Sequence, residues 1–511
     1  MSDSRTKNVS RNVFFAFSRG LLNTILPFIT RTVTLYLLGD KYLGLGTLFT
    51  SVLSMLNLTE LGISSAINFV MYKPIAQGDD EVVSAILGHF RRVYRIIGGV
   101  ILVIGTLIVP VIPYLISGET PSDLNIYVLY YIYLINTSIS YFFAGYRQCL
   151  LTSNQRSDII SKITMGVYIF NNVFQVLVLV VTRNYYIFAI VPIAGTLLTN
   201  LLVARITKKR YPNISCRGEI SDEIKLQIKK RMLGLFGTKL NSLVVHQADT
   251  LVVSAFLGLT IVTEYGNYYF VLNAVCAFTT VFFSSFTASI GNKLVKDSVE
   301  DNYIFFKRLN GLNSWLIGLC SAWMIVLFQP FMEIWVGKKL MQPFLFVILV
   351  VVYFYSFEIQ RTVLTYKDAA GLWYEDRIRP YITMTFNVFS NLVLVQIIGI
   401  YGIVVSSIVA FCISIPWTNQ VLFKCLFHRS PLENLKRMAI ELAVNTILIV
   451  ICYYACINLR NGLIWFAVRI IVTFVIFNLG YFVLYFRNDT FRYWINVIRN
   501  AKGKLLMKGP E

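Results

Sequence analysis

The chain has 511 residues, of which 56% are hydrophobic and 14% are charged, and its mean hydropathy is +0.64. This composition excludes an ordinary soluble protein and indicates an integral membrane protein. The formal net charge of +20 could suit a nucleic-acid partner, but the basic residues concentrate in alternate polar loops. Since that is the pattern of membrane topology, we expect no nucleic acid to bind.

Apolar runs long enough to cross a bilayer, which takes about 20 residues, recur along the whole chain. The fourteen predicted spans are 12–38, 43–70, 94–117, 123–146, 160–181, 185–206, 232–258, 264–290, 309–335, 344–366, 380–399, 401–424, 437–459 and 462–486. The excess of Lys and Arg in alternate loops predicts that both termini are cytoplasmic. We therefore expect an all-α, polytopic membrane protein.

A segment near the N-terminus occurs twice. The stretch from Arg31 to Asn68 reads RTVTLYLLGDKYLGLGTLFTSVLSMLNLTELGISSAIN, and a similar order of residues begins at Gln247. Three pairs of landmarks recur at nearly constant offset: Gly39 and Gly258, Lys73 and Lys293, and Phe90 and Phe306. Because six spans separate the copies, the repeats run parallel, as in transporters with two related lobes.

The repeat and the loop charges predict five parts. They are an N-lobe at 1–206, a cytoplasmic interfacial linker at 207–231, a C-lobe at 232–428, an extra helix pair at 429–486 and a basic cytoplasmic tail at 487–511. The two six-helix lobes are expected to be pseudo-symmetric and to face each other across a cavity. Ser221 is expected to cap a helix in the linker, and the tail to lie on anionic lipid.

Charged residues occur within the first two spans. Arg19 and Arg31 lie in the first span, and Glu60 lies in the second. An Arg at the centre of a membrane helix costs roughly 3 kcal/mol on insertion scales, so such residues usually face a protein interior or a water-filled cavity. Arg31 is expected to face a polar interior, whereas Arg19 either anchors the helix at the interface or contacts substrate.

The seventh span has a polar face. Lys239, Ser242, His246 and Asp249 follow the spacing i, i+3, i+7 and i+10, which places them on one side of a helix. Asp249 either pairs with Arg31 across a central cleft or belongs to a charge network within one lobe. His246 is either a packed, hydrogen-bonded residue or, with Asp249, part of a proton-coupling site.

The tenth span carries a second set of charges at helical spacing. Glu358, Arg361 and Thr365 stand at i, i+3 and i+7, so Glu358 and Arg361 are expected to form a local ion pair. A role as cavity or coupling charges is the alternative. The eight cysteines have neither metal nor redox spacing, so we expect no metal and no cofactor.

Several stretches taken together resemble a known family. Besides the segment from Arg31 to Asn68, they are YRQCLLTSNQRSDIIS, ADTLVVSAFLGL, FTASIGN and RTVLTYKDAAGLWYEDRIRP. They resemble bacterial polysaccharide-biosynthesis membrane proteins of the O-antigen flippase type, which belong to the multidrug, oligosaccharidyl-lipid and polysaccharide exporter superfamily. The resemblance covers essentially the whole chain.

That resemblance implies a flippase of the bacterial plasma membrane. Such a protein moves an undecaprenyl-diphosphate-linked oligosaccharide from the inner to the outer leaflet by alternating access, for O-antigen lipopolysaccharide, capsule or another surface polysaccharide. A glycan polymerase and export machinery are the implied partners. Arg31 and Lys239 match the family's basic cavity residues by position, and Arg19 adds a cation to the same path. Because Glu60 and Asp249 are acidic, the expected site contains both positive and negative charges.

Two other functions remain open on the sequence. A cation-coupled multidrug antiporter of the same fold would need acidic residues such as Glu60, Asp249 and Glu264, although the intramembrane basic residues disfavour cationic drugs. A membrane glycan polymerase or ligase would need a sizeable outer catalytic loop, and none is visible. Either a proton or a sodium ion could serve as the coupling ion.

Overall fold

The computed structural model describes residues 22, 24–57, 63–460 and 462–506. Within this part, the description excludes the side chains of residues 231, 233–236, 238–239, 241–243, 246, 288, 498 and 500–506. The described residues form α-helices joined by short turns, and they contain no strand. The expected all-α class is therefore confirmed.

The helices account for the predicted membrane spans. Ten helices among the described residues are long and apolar enough to cross a membrane, or eleven if the bent pair Ile126–Phe142 and Gly145–Ser153 is one span. The three remaining predicted spans contain shorter helices. These are Thr24–Leu37, the successive helices Asp40–Leu56 and Ile63–Gln77, and the apolar part Gln247–Leu257 of a longer helix. The chain is thus a multi-pass membrane protein.

The chain divides into two compact units, and the boundary falls at Gly266, inside a helix. The helices that begin in the first unit are α1 (Thr24–Leu37), α2 (Asp40–Leu56), α3 (Ile63–Gln77), α4 (Asp80–Ile108), α5 (Ile126–Phe142), α6 (Gln148–Ser153), α7 (Ser157–Thr182), α8 (Tyr185–Arg210), α9 (Asp222–Leu257) and α10 (Leu259–Ser284). The first-unit core, formed mainly by α2 to α5, includes Leu45, Phe49, Phe90 and Tyr130.

The second unit contains the remaining helices. They are α11 (Thr287–Lys296), α12 (Val299–Val336), α13 (Phe344–Glu358), α14 (Arg361–Ala370), α15 (Arg379–Ile398), α16 (Ile400–Leu422), α17 (Leu432–Cys456), α18 (Leu463–Tyr485) and α19 (Asp489–Leu506). The predicted boundaries between lobes, linker and extra pair stay predictions.

Two glycines turn the chain at corresponding places in the repeat. Gly39, between α1 and α2, has φ 106° and ψ 179°, and Gly258, between α9 and α10, has φ 87° and ψ 174°. Only glycine adopts such angles readily, because any other residue would bring its Cβ against the backbone. The shared conformation supports the duplication inferred from the sequence.

One long helix covers the end of the predicted linker and the seventh predicted span. A single 36-residue helix, α9, begins at Asp222 and continues through the expected seventh span. Ser221 caps it as predicted, since its hydroxyl accepts a hydrogen bond from the Ile224 amide at 3.4 Å. The helix is continuous because the sequence from Asp222 to Leu257 contains no proline to end it.

The second unit is built around α12, a helix of 38 residues. A Cβ placed on Gly318 of α12 would lie 2.5 Å from the Asn445 side-chain oxygen on α17 and 2.7 Å from the Phe477 ring on α18. The absence of a side chain at Gly318 therefore lets the three helices pack closely. Neighbouring helices α15 and α16 are joined by the Asn387 amide, which donates to the Ser407 hydroxyl at 2.9 Å.

Candidate functional site

Four of the predicted site residues lie wholly or partly outside the description. Arg19 and Glu60 fall outside the described residues. The backbone at Lys239 and His246 is helical, within α9, but their side chains are not described. The proposed roles of these residues therefore stay predictions, and the site is built from Arg31, Asp249 and their surroundings.

Arg31 lies on α1 and is half-buried. One of its guanidinium nitrogens, Nη2, donates a hydrogen bond to the backbone carbonyl of Thr263, on α10, at 3.3 Å. A Cβ on Gly266 would lie 2.7 Å from the same nitrogen. Glycine at this position thus leaves the space that the guanidinium occupies beside α10.

Asp249 also contacts α10. Its side chain is buried, with a relative exposure of 3%, and it accepts a hydrogen bond from the Tyr265 hydroxyl at 3.0 Å. Thr263 and Tyr265 are two residues apart, so Arg31 and Asp249 bind the same short stretch of α10. Both belong to the first compact unit. The stretch therefore lies between a cation on α1 and an acid on α9.

The N-terminal turn of α2 adds further contacts to this stretch. The Thr260 hydroxyl donates to the Asp40 carboxylate at 2.5 Å, and the Thr263 hydroxyl donates to the Asp40 carbonyl at 2.7 Å. A Cβ on Gly44 would lie 2.3 Å from the Leu259 carbonyl oxygen. The N-terminal parts of α2 and α10 are therefore in backbone contact. This contact holds the Thr263 carbonyl, which accepts the hydrogen bond from Arg31, in a defined position.

A polar cavity of about 380 Å³ lies elsewhere in the first unit. Its lining is neutral and consists mainly of amides, hydroxyls and aromatic rings: Asn57, Ser64, Asn68, Phe90, Tyr94, Thr137, Ser140, Tyr141, Gly145, Gln148, Cys149 and Thr152. The Tyr94 and Tyr141 rings are 5.0 Å apart, and the Tyr141 hydroxyl donates to the Asn57 side-chain oxygen at 3.3 Å. Such a lining can hydrogen-bond water or a neutral hydroxylated molecule.

Glu358 and Arg361 form the local ion pair that their spacing predicts. The Arg361 guanidinium makes two hydrogen bonds to the Glu358 carboxylate, at 2.8 and 2.6 Å, and the Glu358 side chain is fully buried. The helix breaks between them, because α13 ends at Glu358 and α14 begins at Arg361. The Asn313 amide, on α12, donates to the freed carbonyl of Glu358 at 3.0 Å. The pair thus bridges a two-residue interruption in a span that the sequence predicts as continuous.

A second buried charge cluster was not anticipated from the sequence. Asp376, in the loop between α14 and α15, accepts hydrogen bonds from Lys367 and from two nitrogens of Arg379, at 2.8 and 2.7 Å. Burial raises the pKa of Asp376, but the hydrogen bonds and charges of Arg379 and Lys367 outweigh it and lower that pKa below its ordinary value. The carboxylate is therefore ionised at neutral pH.

This second cluster is connected to the helix break. Arg379 donates to the Ser414 hydroxyl, on α16, at 3.0 Å, and Ser414 donates to the Gln360 side-chain oxygen at 3.2 Å. The acidic and basic residues of this segment are visible in the sequence, but their partners depend on how α14, α15 and α16 pack.

Among the described residues, no group of three or more His, Cys, Asp or Glu side chains could hold a metal ion.

Comparisons with known proteins identify the fold. No family model matches the sequence, and no curated protein matches it. A structure of the lipid II flippase MurJ in an inward closed conformation is similar, with TM-score 0.63, 15% identity and coverage of 93% of this chain and 99% of that chain. An inward-facing MATE multidrug transporter of the MOP superfamily has TM-score 0.59, 14% identity and coverage of 80% and 97%.

A third similar structure is a mutant form of the Vibrio cholerae MATE transporter VcmN, with TM-score 0.53, 13% identity and coverage of 83% of this chain and 100% of that chain. Each of the three structures is covered almost completely, so the similarity concerns the whole architecture. The chain therefore has a polytopic all-α fold like that of the lipid II flippase MurJ and of the MATE transporters.

Proposed function

We propose that the protein is a flippase that carries an undecaprenyl-diphosphate-linked oligosaccharide across a bacterial plasma membrane by alternating access. Three lines of support agree. The fold is that of a family of transporters, one similar structure is described as a lipid II flippase, and the sequence stretches quoted above resemble O-antigen-type flippases.

The single observation that carries the proposal is the position of Arg31. A half-buried guanidinium on an apolar helix is costly, and such residues usually face a protein interior or a water-filled cavity and mark a pathway. A diphosphate leaving water needs cations to replace its hydration, and the planar guanidinium fork matches phosphate oxygens in a way that a Lys ammonium does not. Lys239 and Arg19 would supply further cations along the same path.

The direction of transport follows from topology in this proposal. The Lys and Arg excess in alternate loops supports cytoplasmic termini, so the glycan would be taken up at the cytoplasmic leaflet and released at the outer one. Protonation or sodium binding near His246 and Asp249 would bias the inward-facing against the outward-facing state. The two lobes of the sequence repeat would provide the walls of the path.

Buried Asp249 also favours a second candidate, a cation-coupled multidrug antiporter. Antiport needs an acid that exchanges a cation for a drug, and the chain resembles MATE transporters in fold. The intramembrane cation Arg31 opposes this alternative, because it would repel a cationic drug.

The two candidates give different results in proteoliposomes. Purified protein is reconstituted with a fluorescent polyprenyl-diphosphate oligosaccharide in one leaflet, or with ethidium in the lumen. Loss of the glycan from its original leaflet, without ethidium release and without glycan extension, is expected. Ethidium release driven by a pH or sodium gradient, with no glycan movement, would select the antiporter.

A further inference from the structure

A large cavity in the second unit plays no part in the proposed transport path. It has a volume of about 1170 Å³, above the roughly 300–1,000 Å³ of ordinary small-molecule sites. Its walls come from the N-terminal half of α12, the first turns of α17, the last turns of α18, the connection that follows α18, and α19. It therefore lies at one end of the unit, where helices leave the membrane.

The cavity has an excess of positive charge. Five cations line it: Lys307, Arg308, Lys436, Arg437 and Arg487. Three carboxylates line it: Glu433, Glu441 and Asp489. Arg437 is already paired with Glu441, at 2.8 Å. The Lys307 ammonium lies 4.7 Å from the centre of the Tyr303 ring, and neither Lys307 nor Lys436 forms an ion pair with any residue that the structure describes. The remaining charge suits an anion.

Part of the remaining lining is apolar. Leu312, Ile440 and Ile495 belong to it, and the side chain of Ile440 is 62% exposed on a membrane helix. An anion in this cavity would therefore lie next to surfaces that suit hydrocarbon chains. A small soluble anion would leave most of the volume and the apolar wall unused.

Helix α19 closes the cavity and is held in place by specific contacts. The Trp494 indole donates to the Arg308 carbonyl at 2.9 Å, and the Arg308 guanidinium lies 4.1 Å from the centre of the Tyr493 ring. At the same crossing, a Cβ on Gly311 would lie 2.6 Å from a Thr490 side-chain atom. These contacts with α12 position α19 as one wall of the cavity.

From these observations we propose that the cavity between α12, α17, α18 and α19 binds an anionic membrane phospholipid, with the headgroup phosphate between Lys307 and Lys436 and the acyl chains along Ile440. This lipid would be a resident of the membrane rather than the transported molecule. Its binding would fasten α19, the C-terminal amphipathic helix, to the second unit. The proposal does not depend on which substrate the protein moves.

The test uses the full chain, purified in a neutral detergent and depleted of lipid. Phosphatidylglycerol, phosphatidylcholine, polyprenyl phosphate or inorganic phosphate is added, and bound molecules are counted by native mass spectrometry. Each Lys near an anionic lipid is worth about fivefold in affinity, so Lys307→Gln with Lys436→Gln should weaken phosphatidylglycerol binding about 30-fold. Ile440→Trp, which fills the apolar part and keeps every charge, should weaken it as well.

The matched control is Lys296→Gln with Lys424→Gln. These two exposed lysines also lie at helix ends in the second unit, but outside the cavity lining, so phosphatidylglycerol binding should stay at the wild-type level. An equal loss in control and cavity variants would overturn the proposal. Displacement of the lipid by an equal concentration of inorganic phosphate, or preference for polyprenyl phosphate, would also contradict it.

Discussion

Glu358, the last residue of α13, forms a two-point ion pair with Arg361, the first residue of α14, across a break in the helix. The arrangement opposes the helix dipoles, because the acid stands at a C-terminus and the cation at an N-terminus. The pairing therefore has to compensate for the unfavourable placement of both charges. Breaking it by substitution tests how much the discontinuous span depends on it.

Glu358→Gln is expected to destabilise the protein by about 3–5 kcal/mol, because it leaves Arg361 without its buried partner. Glu358→Gln combined with Arg361→Gln should be less destabilising than the sum of the two single changes. The midpoint of thermal unfolding, followed by loss of the monodisperse peak in size-exclusion chromatography, measures both effects. Asp222→Asn, at an exposed pair, is the control and should leave the midpoint unchanged. Additive single effects would mean that the two charges act independently.

Asp376→Asn should destabilise the protein at neutral pH by a similar amount, about 3–5 kcal/mol, because Lys367 and Arg379 would lose their shared carboxylate. The lowered pKa of Asp376 fixes the sign of the pH dependence. Its contribution is fully present above the unfolded pKa near 3.8 and is lost as the pH falls through the folded-state pKa.

Thermal midpoints measured from about pH 7 down to about pH 3 check this expectation for Asp376. Between about pH 7 and 5, the difference between wild type and Asp376→Asn should stay constant, and below about pH 4 it should shrink. A difference that grows with acidification would contradict the lowered pKa.

Arg31→Ala should reduce glycan translocation about ten- to hundredfold, because a hydrogen bond to a charged group is worth about 1.5–3 kcal/mol. Arg31→Lys should recover only part of the loss, since the bidentate fork is missing. The rate of leaflet exchange in proteoliposomes is the measurement. Arg205→Ala removes an exposed arginine from α8 in the same unit and should have little effect. Translocation at the wild-type rate by the double variant Arg31→Ala with Lys239→Ala would show that other residues bind the diphosphate.

Gly266→Ala tests the position of the guanidinium without removing it. The new Cβ would lie 2.7 Å from the Arg31 Nη2 atom, which is the end of a flexible side chain and can move away at small cost. Alanine also favours a helix by roughly 0.5–1 kcal/mol over glycine. Stability should therefore be kept while translocation falls. Gly166→Ala, inside α7, meets nothing within 4 Å, so it should share the gain in helix propensity and leave translocation unchanged. Normal transport by Gly266→Ala would show that the guanidinium position is unimportant.

Gly44→Ala should have the opposite profile, with a loss of stability. Its Cβ would lie 2.3 Å from the Leu259 carbonyl oxygen, a backbone atom that moves only if α2 and α10 separate. Overpacking of this kind costs about 1–3 kcal/mol, which exceeds the gain in helix propensity. Gly99→Ala on α4, with nothing within 4 Å, is the control, and a thermal midpoint equal to that of the wild type in Gly44→Ala would contradict the close approach.

The sequence predicts the helices well because hydropathy over about 20 residues is a local property. It also predicts the Glu358–Arg361 pair, since i and i+3 meet on any helix. It does not predict the break between them, because the run from Phe344 to Ala370 contains neither glycine nor proline and the compensating amide comes from Asn313, 45 residues away.

The surroundings of the candidate site are harder to predict. Arg31 is recognisable in the sequence as an intramembrane charge, but its partner Thr263 is 232 residues away. Thr263 accepts the hydrogen bond through its backbone carbonyl, so the contact leaves no pattern in the sequence. Asp376 likewise lies in an irregular loop without periodicity, where it meets Lys367 from α14 and Arg379 from α15. Such contacts follow from tertiary packing rather than from spacing.

The turn at Gly39 bears on how the protein is made. Only Leu38 and Gly39 separate α1 from α2, so very little polar backbone lies at the tip of this turn. Such a tip carries few unsatisfied amides across the hydrocarbon layer during insertion. Gly258 gives α9 and α10 the same geometry. In both copies of the repeat, the connection between the two helices therefore brings few unsatisfied amides into the hydrocarbon layer when the helices insert.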